Sequence, residues 1–257
     1  EALSGDVMGG AADWAFTKRF RRGGFGWRAS RLASERIAEA LAEIQAVVRH
    51  DPLHAADGAV RFLVKLSPAL EQVDSSSGAL GGAARAAVDA LVPVIAQAPA
   101  HGAMREKWLE QLFEAIQNDD PPYLELLDER WGDLSATPEV ASRWADRLMS
   151  LVRHVHADRR SGKFAFTRAE SACYSALFAA GRHDELIALI DSDPRPMWHD
   201  LLWVGRCKVA RGEIDEAIEF MAKAVNPWTP MAGLARFAEG VLLQAGRRVE
   251  AYEKYAL

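Results

Sequence analysis

Cysteine is scarce in this chain of 257 residues, which holds only Cys173 and Cys207. Two cysteines cannot build a disulfide framework, and neither has a neighbour at metal-ligand spacing. They read as small buried thiols of a reducing compartment, which makes the cytoplasm the expected setting. Excess charge of one sign is also lacking: a net charge of -5 argues against a nucleic-acid binder that works through overall charge. No run approaches the roughly 18 apolar residues that span a bilayer, so no membrane is expected as a partner. The opening EALSGDVMGG has neither a signal-peptide core nor an initiator Met, which leaves room for residues upstream. Sustained apolar–polar alternation is missing too, and β-branched residues are sparse beside the many alanines, so strands have no signal. RRGGFG lacks the glycine spacing and the Lys-Ser/Thr of a phosphate loop. No serine or cysteine stands in a nucleophile-and-base motif.

Helical periodicity fills the space these absences leave. Ile37, Leu41, Ile44 and Val48 draw one stripe along 34–49, and Trp108, Leu112 and Ile116 draw another along 105–117. Val140, Trp144, Leu148, Leu151 and Val155 do the same in 138–156, which places Trp108 and Trp144 in the core. Asp51-Pro52, Asp120-Pro121 and Thr137-Pro138 each put a capping side chain before a proline suited to the first turn. Thr167 to Glu170 fits a capping box. Pro68 and Pro93 are expected to kink or split their helices. These marks predict an all-α chain of about a dozen helices in antiparallel pairs: 34–49 with 52–73, 78–98 with 101–117, 121–131 with 139–158, 164–180 with 183–192, 197–211 with 213–225, and 228–245 with 247–256. The acidic, turn-rich stretch 118–138 divides it into 1–130 and 131–257, or lies inside one continuous array.

Three short segments share a theme: AGRHDELIAL (180–189), RGEIDEAIEF (211–220) and AGRRVEAYEK (245–254). In each, a glycine suited to a left-handed helix end precedes the start of the next helix, and acids sit near the positive end of that helix in the first two. Gly181, Gly212 and Gly246 stand 31 and 34 residues apart, a spacing that helical repeats produce. The middle unit, 198–227, resembles a tetratricopeptide repeat through Gly205, Gly212, Ala217, Met221, Ala224 and Pro227. The last matches through Gly246, Ala251 and Tyr255 but has Glu239 at a small-residue place, and the first keeps Gly181 but has Tyr174 and Leu186. The resemblance covers about 167–257 and implies a right-handed α-solenoid, with looser HEAT-like pairs upstream. More loosely, RRGGFGW followed by a long helical run is similar to a family of uncharacterised bacterial helical proteins.

That resemblance implies a non-catalytic interaction or scaffolding module that holds a protein or peptide partner on a concave face. Counting from the turn glycines puts Arg168, Ser175, His199, Leu202, Arg206, Arg236 and Gln244 there, and Arg168, His199, Arg206 and Arg236 suit an acidic segment or terminal carboxylate. The clamp lysines and asparagine of the family's carboxylate binders are absent. Trp198, Trp203 and Trp228 either pack the core or floor this groove. A second reading is nucleic-acid association through 17–36, which carries seven Lys/Arg against one Glu. Lys18, Arg19, Arg21, Arg22 and Arg28 would meet phosphates while Phe20, Phe25 and Trp27 stack on bases. Against it, the aromatics anchor the segment and the arginines pair with the acidic residues of 101–150. A third reading, a metal-dependent hydrolase, rests on HVHAD: His154 and Asp158 share a helical face, but His156 points about 200° away. Two ligands are too few for zinc, so neither a cofactor nor a metal is expected.

Overall fold

The computed structural model describes residues 14–227, 229 and 231–255, and every regular element among them is an α-helix. In chain order these are α1 (Phe16–Arg19), α2 (Ser30–Val48), α3 (Pro52–Leu70), α4 (Ala79–Gln97), α5 (Gly102–Gln117), α6 (Leu126–Glu129) and α7 (Trp131–Ser135). There follow α8 (Pro138–Arg160), α9 (Ala169–Ala179), α10 (His183–Asp191), α11 (Trp198–Ala210), α12 (Ile214–Lys223), α13 (Met231–Gln244) and α14 (Arg248–Tyr255). The chain divides into two compact units, 1–126 and 127–257.

In the first unit α2, α3 and α4 all pack on one another, and α5 lies against α3. The buried stripe of α2 is Ala33, Ile37, Ala40 and Ile44, so one face carries the contact. Phe16 and Phe20 dock edge-on against Phe62 at 5.3 and 4.9 Å. Trp14 lies flat on α3 where Gly58 leaves room; a Cβ there would stand 2.4 Å from the indole. α4 corrects one expectation: with a mean hydropathy of 1.5 it is long and apolar enough to cross a membrane by length and composition. Its Leu80, Ala84, Ala87, Val88, Leu91, Val92 and Ile95 are nonetheless buried, while Arg85 and Asp89 face outward, which is the pattern of a core helix.

Several local expectations change with packing. Pro68 and Pro93 lie inside helices that run through them, because each falls within the last turns of its helix. Asp51 and Thr137 cap α3 and α8 as expected, accepting from His54 N and Val140 N at 2.9 and 3.3 Å. Asp120-Pro121 starts no helix; the buried Asp119 instead accepts from Tyr123 N and Leu124 N and folds that turn. α5 touches α4 through Arg105, which donates to the carbonyls of Ile95 and Ala98, but packs along α3. The stretch 121–131 is mostly turn and short helix, so α8 pairs with α9.

The second unit repeats one joint. α8, α9, α11 and α13 all end in a glycine at positive φ: Gly162 (83°), Gly181 (71°), Gly212 (82°) and Gly246 (77°). In each, the glycine N–H and the next N–H bond back to the last helical turn, as from Gly181 to Phe178 and Arg182 to Leu177. That pair of bonds closes the carbonyls a helix end leaves unpaired. Three joints add an arginine that reaches an earlier helix: Arg182 to Asp146 at 2.6 Å, Arg211 to Asp184 at 2.6 Å and Arg247 to Asp215 at 2.7 Å. Arg182 and Arg247 also pair with Glu185 and Glu250 three residues on, so GRxxE is a repeated structural word. Helices then pack mainly on their neighbours in the chain, α8 on α9, α10 on α11, α11 on α12 and α13 on α14. Gly205 serves the array: a Cβ there would meet Phe237 at 2.9 Å and Met221 at 3.0 Å. Trp108 and Trp144 are core, as are Cys173 and Cys207, whose thiols burial pushes up to about 12 and about 11.

Two glycine substitutions separate packing from propensity. A Cβ at Gly132 would lie 2.6 Å from Ala179 Cβ and 2.7 Å from Ser175 O, so Gly132→Ala should destabilise the fold by about 1–3 kcal/mol. Gly82, in α4 with open space around it, should gain up to about 1 kcal/mol on replacement by alanine. Urea unfolding of both variants measures the difference.

Candidate functional site

The densest set of ionisable side chains in the second unit is buried. α8 presents His156 and Arg159 on one face, α9 presents Glu170 and Tyr174, and the α10–α11 connection brings Ser192 and Asp193. Arg159 Nη2 and Nη1 donate to the two oxygens of Glu170 at 2.7 and 2.8 Å, and Nη1 also meets Asp193 Oδ2. Its Nε donates to Ala165 O at 2.9 Å. His156 Nε2 faces Glu170 Oε1 at 2.9 Å and the Tyr174 hydroxyl at 3.2 Å, while Nδ1 faces Ser192 Oγ at 2.9 Å. Burial opposes the charge of Arg159, but the hydrogen bonds and charges of Glu170 and Asp193 outweigh it and hold its pKa above the ordinary value.

Serine, histidine and glutamate in line invite comparison with a nucleophile relay. Here Ser192 Oγ donates to Leu189 O at 2.6 Å, so toward the imidazole it acts as an acceptor, the reverse of what a nucleophile and its base require. Ser192 also caps the C-terminal end of α10, where backbone carbonyls would repel a developing oxyanion. Ligand atoms of His156, Glu170 and Asp193 lie within 4.8 Å of one another, as a metal would need. The Arg159 guanidinium, however, already bonds both carboxylates, and a cation would have to displace it. What the arrangement does is tie α8, α9 and the α10–α11 connection together.

Sequence reasoning weighed HVHAD but looked for ligands at His154 and Asp158. His154 is exposed, 3.6 Å from Asp158, and Asp158 Oδ1 is taken by Lys163 at 2.8 Å. His156 does point away from His154, into the core. Glu170 was expected to close a capping box with Thr167; α9 instead begins at Ala169, and Glu170 turns inward to Arg159 and His156.

The accessible concavity is elsewhere. A groove of about 460 Å³ is lined by Phe178 of α9, Arg206, Val209 and Ala210 of α11, and Phe237, Gly240, Val241 and Gln244 of α13. These are the first helices of three successive hairpins. The Arg206 guanidinium rests over the buried Trp203 ring at 4.3 Å. Although Arg206 is exposed as a residue, its surroundings desolvate the guanidinium and lower its pKa, with Glu129 and Asp133 pulling the other way. Of the expected groove residues, Arg206 and Gln244 line it. Ser175 is buried, donating to Glu129 O and accepting from Gly132 N. Arg168 sits at the start of α9, His199 lies 3.4 Å from Asp200 Oδ1, Leu202 is half-buried, and Arg236 is exposed on α13. Trp203 is core, Trp198 lies against Gly233, and Trp228 falls outside the described residues. A smaller cleft of about 320 Å³ between α8 and α10 is lined by Arg153, Arg160, Glu185 and Ser192 among others.

The basic segment 17–36 belongs to the first unit. Phe20 and Phe25 are buried against each other and Phe62, whereas Trp27 is exposed. Arg19 pairs with Glu39 at 2.5 Å and Arg22 lies 3.5 Å from Glu71, so the acids that answer these arginines are on α2 and just after α3, where 101–150 was expected. Lys18, Arg21 and Arg28 are exposed.

Compared with protein-family models, curated proteins and solved structures, the chain matches none.

The buried network sets a pH dependence through Asp200, whose carboxylate accepts from Met197 N at 2.8 Å. Burial, with Glu170 and Asp193 nearby, raises its pKa above the ordinary carboxylate value against the opposing pull of His199. The native state therefore holds this proton more tightly than the unfolded chain, so Asp200 favours folding below its unfolded pKa and loses that contribution as pH rises. Asp200→Asn should be more stable than the parent at pH 7, with the gap closing toward pH 4 in urea titrations.

Proposed function

We propose that the second unit is a peptide-binding helical repeat, the tetratricopeptide-like end of a right-handed α-solenoid, and that the protein is an interaction or scaffolding module in the cytoplasm. The observation that carries this reading is the groove between α9, α11 and α13, where three successive first helices supply apolar walls and one desolvated arginine. Phe178, Val209, Phe237 and Val241 offer area to apolar side chains, and Arg206, steadied on Trp203, offers a donor fork to a carboxylate. The occupant that fits is a short segment with two or three apolar side chains and one acidic group, a side chain or the chain terminus. Arg236, exposed on α13, adds a cation to the helix that carries Phe237.

Nucleic-acid association through 17–36 is the weaker reading. Two of its three aromatic rings are spent on the core, and two of its five candidate cations face glutamates. A hydrolase at His154 and Asp158 has less support, since lysine already neutralises the carboxylate.

Peptides selected on the intact protein from a random library should be enriched in acidic-apolar segments. Arg206→Glu should weaken the best of them at least about tenfold, the loss that follows from one charge-assisted bond turned repulsive. Circular dichroism checks that the variant is folded. Equal binding by parent and variant would refute the groove assignment.

A further inference from the structure

The connection between α8 and α9, residues 161–168, exposes two phenylalanines. Phe164 is 99% exposed and Phe166 67%, and Met197 on the α10–α11 connection is 61% exposed. Isolated apolar side chains are ordinary on a surface, but three bulky ones on two neighbouring loops, one of them wholly bare, are not. Both loops are held at the base by the same guanidinium. Arg159 bonds the carbonyl of Ala165, the residue between the two phenylalanines, and the carboxylate of Asp193. Asp200 then fixes Met197 through its backbone N–H. These bonds hold the backbone of both loops against the buried network, with the apolar side chains exposed.

The charge on these two connections is mostly positive, although Asp191 is exposed at the end of α10 and Asp158 pairs with Lys163. RRSGKFAFTR, residues 159–168, contains Arg159, Arg160, Lys163 and Arg168 and no acid, and SDPRPM, residues 192–197, adds Arg195. Its single acid, Asp193, is buried and bonded to Arg159. Arg160 reaches back to Ser192 O and Lys163 to Asp158, which keeps both cations beside the loops. Exposed apolar side chains with cations on the same loops complement a surface that admits apolar groups and carries negative charge.

We propose that the Phe164–Phe166 loop, with Met197, docks the second unit onto an anionic lipid bilayer, the rings entering the interface while Arg160, Lys163 and Arg195 meet the headgroups. A strand of nucleic acid would need a basic channel around the rings, and these side chains line neither of the two clefts described above. The expectation of no membrane partner rested on spanning length and does not bear on this peripheral contact.

Co-sedimentation of the whole protein with vesicles tests it, comparing phosphatidylcholine alone with phosphatidylcholine containing phosphatidylserine. Binding is expected to the anionic vesicles, weakening with salt, and to fall at least about tenfold in the Phe164→Ala/Phe166→Ala double variant. Both side chains are exposed, so the variant should unfold at the parent's urea midpoint. Lys163→Glu should weaken binding while leaving both rings in place. No binding by the parent, equal binding to both vesicle types, or undiminished binding by the double variant would overturn the proposal. So would binding of a single-stranded oligonucleotide, in place of vesicles, that the double variant loses, which would make the loop a base-stacking tip.

Discussion

A helix that stops leaves its last carbonyls without partners, and the chain must reverse there at little cost if a second helix is to lie beside the first. In the second unit this is solved four times in the same way. A glycine takes a backbone conformation that a side chain would strain, its N–H and the next one close the open carbonyls, and the chain leaves in a fixed direction. At Gly181, Gly212 and Gly246 that direction leads into α10, α12 and α14. Because the geometry repeats, the surfaces that follow from it repeat too. Arg182, Arg211 and Arg247 each reach an aspartate on an earlier helix, which ties one hairpin to the last without using apolar area. Each bridge is partly exposed and individually weak. What they contribute is registration, since each holds a joint in one setting.

Registration is what makes the groove. Phe178, Arg206 and Phe237 lie on three different helices, and only a consistent turn between hairpins brings them to one face. Gly205 tightens the same place by letting Phe237 and Met221 approach its backbone. The other end of the unit is set differently. There α9 is preceded by a longer connection, and Arg159, Glu170, Asp193 and His156 replace apolar packing with a hydrogen-bonded polar network. Removing one member of such a set strands its partners, so the network is more effective as a fixed geometry than as a reserve of stability.

Much of this was legible in the residues. The turn glycines, the caps at Asp51 and Thr137, the helical stripes and the tight place at Gly205 follow from local rules, and local rules are written locally. The inward turn of Glu170 was not, because Thr167 and Glu170 fit a capping box equally well when read alone. Only the arrival of Arg159 and His156 from α8 offers that carboxylate a stronger set of partners. His156 shows the same limit: its direction relative to His154 follows from helix geometry, but nothing in HVHAD names Ser192, thirty-six residues away, as a neighbour. Helix pairing was legible where a short turn joins neighbours, as for α2 with α3, α11 with α12 and α13 with α14, and failed for α5 and α8. α5 on α3 and α8 on α9 depend on how much apolar area each face finds, which no single helix encodes.

The two ends of the second unit divide its work. In the buried network Arg159 donates to Ala165 O and to both carboxylates, Ser192 donates to Leu189 O, and His156 sits between Glu170 and Ser192. On the binding reading proposed above, the groove offers recognition a shaped surface, a recess with Arg206 held over the Trp203 ring. The bare rings of Phe164 and Phe166 offer it in the opposite form, as a protrusion in place of a recess. Both depend on internal bonds that leave little to rearrange on binding, and a surface prepared in this way loses less conformational freedom when a partner arrives.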